Sequence, residues 1–111
     1  MKYQVKKLDG RYSHRKYFKY CAVFQSNDYG PLHFNNVLKA MITTYGYSAE
    51  IRDWTHIQKT HHNRKLYNLT ADNMPDVVNY SWSWSNGYGD LRIYFKSDKE
   101  LAFFKLKHNE T

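Results

Sequence analysis

Between Tyr80 and Ser85 ring and hydroxyl side chains alternate without a break, Tyr80-Ser81-Trp82-Ser83-Trp84-Ser85, and this run narrows the possible folds more than any other stretch. Successive side chains of a strand point to opposite faces, so three aromatics share one side and three serines the other. Asn86-Gly87-Tyr88-Gly89-Asp90 supplies turn residues, and Leu91-Arg92-Ile93-Tyr94-Phe95 alternates again on the way back. The pattern predicts an antiparallel hairpin in which Trp82 and Trp84 meet Leu91, Ile93 and Phe95. Its other face is expected to show serines, Arg92, Tyr94 and Lys96. A ring surface that large calls for a cover, which favours Trp82 and Trp84 as core over an open stacking platform.

A helix that could provide the cover starts near Pro31, whose missing N–H costs nothing in a first helical turn. Phe34, Val37, Leu38, Met41, Ile42 and Tyr45 recur at amphipathic spacing, and Gly46 is placed to end the element. A second helix follows the hairpin. Ser97-Asp98-Lys99-Glu100 reads as a capping box, Leu101, Phe103, Phe104 and Leu106 as a broad apolar face, and Lys105, Lys107 and His108 suit the negative end of the helix dipole.

Upstream, Tyr3-Gln4-Val5-Lys6 alternates as a half-buried strand, and Asp9-Gly10 tolerates a turn. A partner strand runs from about Lys16 to Phe24, with Phe18, Tyr20, Ala22 and Phe24 directed at the core and Tyr17, Lys19, Cys21 and Val23 at the opposite face. Tyr47 to Trp54 reads as a short, weakly alternating strand carrying Ala49 and Ile51. From Thr55 to Pro75 the periodicity dissolves into a polar loop with room for a short helix. The expected architecture is α+β in the order ββα(β)ββα: a largely antiparallel twisted sheet of four to five strands with two helices packed on one face. At 111 residues, the chain reads as a single domain spanning 1–111.

The segment Leu91 to Leu106, an aromatic-rich strand running into a capped helix, resembles the closing segment of small uncharacterised accessory proteins of large tailed bacteriophages. The resemblance covers the last quarter of the chain. It implies a phage origin and carries no site residues.

One cysteine, Cys21, rules out an intrachain disulfide and the metal motifs built on cysteine pairs, which favours a reducing, cytoplasmic setting, that of the host if the protein is viral. The basic start Met1 to Lys7 has no apolar run behind it, so no secretory signal is expected, and no segment has membrane-spanning length. Asn68-Leu69-Thr70 and Asn79-Tyr80-Ser81 match the glycosylation pattern but read as chance in that setting.

Charge carries the functional expectation. Within residues 1–20, Lys2, Lys6, Lys7, Arg11, Arg15, Lys16 and Lys19 stand against Asp9 alone, a net of +6 in a chain whose total is +7. Interleaved with Tyr3, Tyr12, Tyr17, Phe18 and Tyr20, such a ribbon suits a polyanion: cations displace condensed counterions from phosphates and rings stack on unpaired bases. The competing reading is that these cations protect an edge hairpin and keep the chain soluble. The expected contact set is Lys2, Lys6, Lys7, Arg11, Tyr12, Arg15, Lys16 and Lys19 from the hairpin, Lys59, Arg64 and Lys65 from the central loop, and Arg92. The partner is nucleic acid or a nucleoprotein. The alternatives are inhibition or modulation of a host protein with an acidic surface, and a minor virion component.

Catalysis is not expected. The ten carboxylates scatter through turns and helix starts, with no pair in contrasting environments. His56, His61 and His62 near Asp53 invite a metal, but adjacent histidines converge poorly on one ion, and a solvated basic loop is the better reading. His61-His62-Asn63-Arg64 superficially resembles nuclease motifs without the second acidic or histidine cluster they need. Cys21 reads as a small strand filler, and no phosphate-cradling glycine loop is present, so no cofactor or metal is expected.

Overall fold

The structure, a computed structural model, describes residues 3–10, 15–25, 29–59, 78–87 and 91–108. Among them are four strands and three helices: β1 (Tyr3–Lys7), β2 (Tyr20–Phe24), α1 (Gly30–Tyr45), α2 (Ile51–Lys59), β3 (Trp82–Ser85), β4 (Leu91–Phe95) and α3 (Asp98–Lys107). The sheet order is β1-β2-β4-β3, antiparallel at every pairing. Since β2 and β3 are both antiparallel to β4, they run parallel to each other. A return to the parallel direction needs a crossover, and α1 lies on that path.

Register sorts the side chains into two sets. Tyr3, Phe24 and Leu91 align across the sheet, as do Val5, Ala22, Ile93 and Trp84, and Lys7, Tyr20, Phe95 and Trp82. This face is covered by α1 through Phe34, Val37 and Met41 and by α3 through Leu101 and Phe104. The Phe104 ring stands 4.9 Å from both Tyr3 and Phe95. The aromatic hairpin, the helical stripe and the pairing of Trp82 and Trp84 with β4 therefore match the sequence expectation, with Trp82 fully buried and Trp84 half-buried.

The opposite face departs from it. The short strand expected over Tyr47 to Trp54 shrinks to one parallel bridge, Glu50 with Trp84, and the chain turns into α2 at Ile51. In helical geometry Ile51, Trp54 and Ile57 share one side, and they pack with Leu8, Phe18, Cys21, Ala49, Val78 and Tyr94 into a second core. Helices thus lie on both faces of the sheet, and Ser83, Ser85 and Tyr94, expected to meet solvent, are buried. The buried hydroxyls have partners in the covering segment: Ser83 donates to the Ala49 carbonyl at 2.9 Å and Ser48 to the Trp82 carbonyl at 2.8 Å. Two indoles fix the same segment, Trp82 donating to Gly46 O and Trp84 to Ser48 O, and Trp54 ties α2 to the entry of β3 by donating to Asn79 O. Polar groups this deep are tolerated because they are hydrogen-bonded.

Further boundaries shift for local reasons. The second strand begins at Tyr20, not Lys16; residues 15–17 turn, which breaks the alternation, and Phe18 swings to the second core, 4.7 Å from the Trp54 ring. Ile42, Phe103 and Leu106, assigned to apolar faces by spacing, are exposed. At the start of α3 the Ser97 hydroxyl donates to the Glu100 carboxylate rather than either side chain capping the backbone. Gly46 ends α1 with φ of 93°, a conformation suited to glycine. The Asn79 side chain donates to Tyr45 O at 2.7 Å and accepts from Ser81 N at 2.9 Å, so it clamps the end of α1 to the entry of β3. No helix is long and apolar enough to cross a membrane among the described residues.

Candidate nucleic-acid interface

The aligned row Lys7, Tyr20, Phe95 and Trp82 marks one end of the sheet. Beyond it the hairpin tip is laced to the exit of β4: Leu8 N–H donates to Lys19 O and Lys19 N–H to Phe95 O, both at 2.9 Å, and Lys96 N–H reaches Ser81 O at 3.1 Å. These bonds bring the tip, carrying Arg15, Lys16 and Lys19, beside Lys96 and the first turn of α3 with Lys99. Lys7, Arg15, Lys16, Lys19, Lys96 and Lys99 are all exposed.

Among the described residues two exposed carboxylates stand at this end, Asp9 just beyond Leu8 in the hairpin and Asp98 at the start of α3. Asp98 Oδ2 lies 3.1 Å from Lys19 Nζ. Hydrogen bonds from the Tyr20 hydroxyl and the Lys19 ammonium hold the Asp98 carboxyl below the usual carboxylate range, with Lys7 adding attraction. The same contact raises Lys19, chiefly through its bond to Asp98, and Tyr20 is raised by Asp98 and by partial burial. Lys16 and Lys19 lie over the rings of Tyr17 and Tyr20, 5.2 and 5.4 Å from the centroids. The tyrosines therefore hold the long cationic side chains against the surface.

The sequence-derived contact set divides here. Lys7, Arg15, Lys16 and Lys19 share one end. Lys6 does not form a continuous ribbon with Lys7, because neighbouring strand residues take opposite faces; it is half-buried on the α2 side, in register with Cys21. Arg92 is half-buried three residues before the end of β4, on the α2 side with Val23 and Ser85. Lys59 closes α2. Lys2, Arg11, Tyr12, Arg64 and Lys65 lie outside the described residues, as do His61 and His62, while His56 is exposed on α2. Lys96 and Lys99 were not in the contact set. Their place beside the hairpin depends on the pairing of β2 with β4, which no local pattern encodes.

Trp54 and Trp82 are 2% and 0% exposed, so neither offers a ring face to a base. What the basic end presents is cationic side chains braced by half-buried tyrosines. Compared with known protein families, with curated proteins and with solved structures, the chain has no significant match.

Proposed function

We propose that this chain is a non-enzymatic accessory protein of phage type that holds nucleic acid or a nucleoprotein by the phosphate backbone, at the sheet end carrying Lys7, Arg15, Lys16, Lys96 and Lys99. The convergence of these exposed cations from three separate stretches of the sequence is the observation that supports the reading. Of the carboxylates at this end, Asp98 is already engaged by Lys19, and Asp9 and Asp98 stand against five exposed cations. Each lysine or arginine set against a phosphate releases condensed counterion, so affinity derives from the salt gradient and not from base identity. With Trp54 and Trp82 given to the core, the mode is backbone tracking with little sequence preference. Lys59, Arg64 and Lys65 of the central segment are proposed as further contacts on the strength of their charge, and the phage assignment draws on the resemblance of Leu91 to Leu106.

Titration of labelled single- and double-stranded oligonucleotides at low and moderate KCl tests this directly. Binding that weakens steeply with salt and changes little with base composition supports it. Undetectable binding at low salt would remove it.

A further inference from the structure

The apolar residues of α3 that the sheet does not use have a place of their own. Thr44 and Tyr45 at the end of α1, and Lys99, Ala102, Phe103 and Leu106 along α3, line an open groove of about 460 Å³. The Tyr45 and Phe103 rings meet edge-on at 6.3 Å within it. Phe103 is 47% exposed and Leu106 83%. Ala102, Phe103 and Leu106 follow helical spacing on the side of α3 turned away from Leu101 and Phe104, so the helix carries a second apolar stripe besides the one buried on the sheet.

The charges around the stripe select its occupant. Of the acidic residues in α3, Asp98 is paired with Lys19, and Glu100 is buried and accepts from Ser97. Lys99 lies in the groove lining, and Lys105 and Lys107 are exposed along the last turn. A second copy of this chain would set the same lysines against one another in a molecule already at +7. We propose that the groove between α1 and α3 docks an amphipathic helix of a partner protein whose apolar side is flanked by carboxylates. An apolar stripe laid between two helices follows the helix-in-groove mode, with Phe103 and Leu106 as the anchors. The groove borders the basic end of the sheet and shares Lys99 with it, but its test does not involve nucleic acid binding.

The probe is a synthetic amphipathic peptide of about 18 residues with leucines at helical spacing and glutamate flanks, against the same peptide with lysine flanks. Titrated into isotopically labelled protein, the glutamate peptide is expected to shift the amides of Thr44, Ala102, Phe103 and Leu106 and to bind at least about tenfold tighter than the lysine peptide. Leu106→Asp should weaken it by roughly tenfold or more with the melting temperature unchanged, since Leu106 is 83% exposed. Lys99→Glu should reduce or reverse the preference between the two peptides. Equal binding of both peptides, shifts confined to other surfaces, no binding at millimolar peptide, or self-association of the free chain that Leu106→Asp abolishes would each overturn the proposal.

Discussion

Lys19 Nζ sits 3.1 Å from Asp98 Oδ2, so the tip of the first hairpin is tied to the first residue of α3 although 79 positions separate them in the chain. The tie positions the basic end and at the same time removes one cation from it. Asp98→Asn is expected to free Lys19 for a phosphate and to steepen the logarithmic salt dependence of oligonucleotide binding by about 0.9. Both partners face water, so the melting temperature should barely move near neutral pH. Anisotropy titrations at several KCl concentrations, beside a thermal melt, check both halves.

The pH dependence of the tie has a definite sign. Asp98 is lowered from its ordinary 3.8, so its contribution is present above that value and is lost as pH falls through the depressed one. Lys19 and Tyr20 are raised from 10.5 and 10.0, so theirs is present below those values and is lost as pH climbs through the raised ones. The small difference in melting temperature between wild type and Asp98→Asn should therefore be level between about pH 5 and 9 and fall away at both extremes. A series of thermal melts across pH reads this out.

Burial on both sheet faces sets the behaviour of Trp54 and Cys21. Trp54 is 2% exposed against Phe18 and Tyr17, so Trp54→Ala should cost about 3–5 kcal/mol in urea unfolding. Cys21 is fully buried between β1 and β4 on the α2 side, and its thiol should resist a disulfide reagent until the chain unfolds. Iodide should quench Trp84 more than Trp54 or Trp82. Rapid labelling of Cys21 in the native state would mean that α2 does not cover the sheet.

Two glycines are held for different reasons. A Cβ on Gly30 would stand 1.6 Å from the Gln25 carbonyl oxygen, so Gly30→Ala forces a backbone shift at the start of α1 and should destabilise by about 1–3 kcal/mol. A Cβ on Gly46 would make only an ordinary contact, 3.6 Å from Asn79 Nδ2, but φ is 93° and ψ 169°, and Gly46→Ala should cost about 1–3 kcal/mol from backbone strain. Urea denaturation of the two variants gives both values.

What could be read from the residues followed from local periodicity. The alternation through Trp84, the return through Ile93 and the stripe from Phe34 to Tyr45 each encode their own element, and the structure forms each of them, with Ile42 of the stripe left exposed. The second helix over the sheet was hidden because Ile51, Trp54 and Ile57 put only three apolar residues on a nine-residue helix, followed by a polar run that dilutes the period. An alternating serine looks the same in sequence whether water or a buried carbonyl receives the hydroxyl; Ser83 and Ser85, expected for that reason to meet solvent, are buried. In the candidate site, Lys7, Arg15, Lys16 and Lys19 could be found by counting charge. Lys96 and Lys99 could not, because they join the others through strand pairing.

Oligonucleotide binding by wild type and by Lys7→Gln/Arg15→Gln/Lys16→Gln/Lys96→Gln, each measured across a KCl series, is the most direct test of the basic sheet end. The expected wild-type slope of log affinity on log salt is about −3 to −5, shrinking by roughly three to four in the quadruple variant while its melting temperature holds. A wild-type chain that ignores nucleic acid at low salt, or a variant that keeps the wild-type slope, would contradict phosphate binding at this end of the sheet.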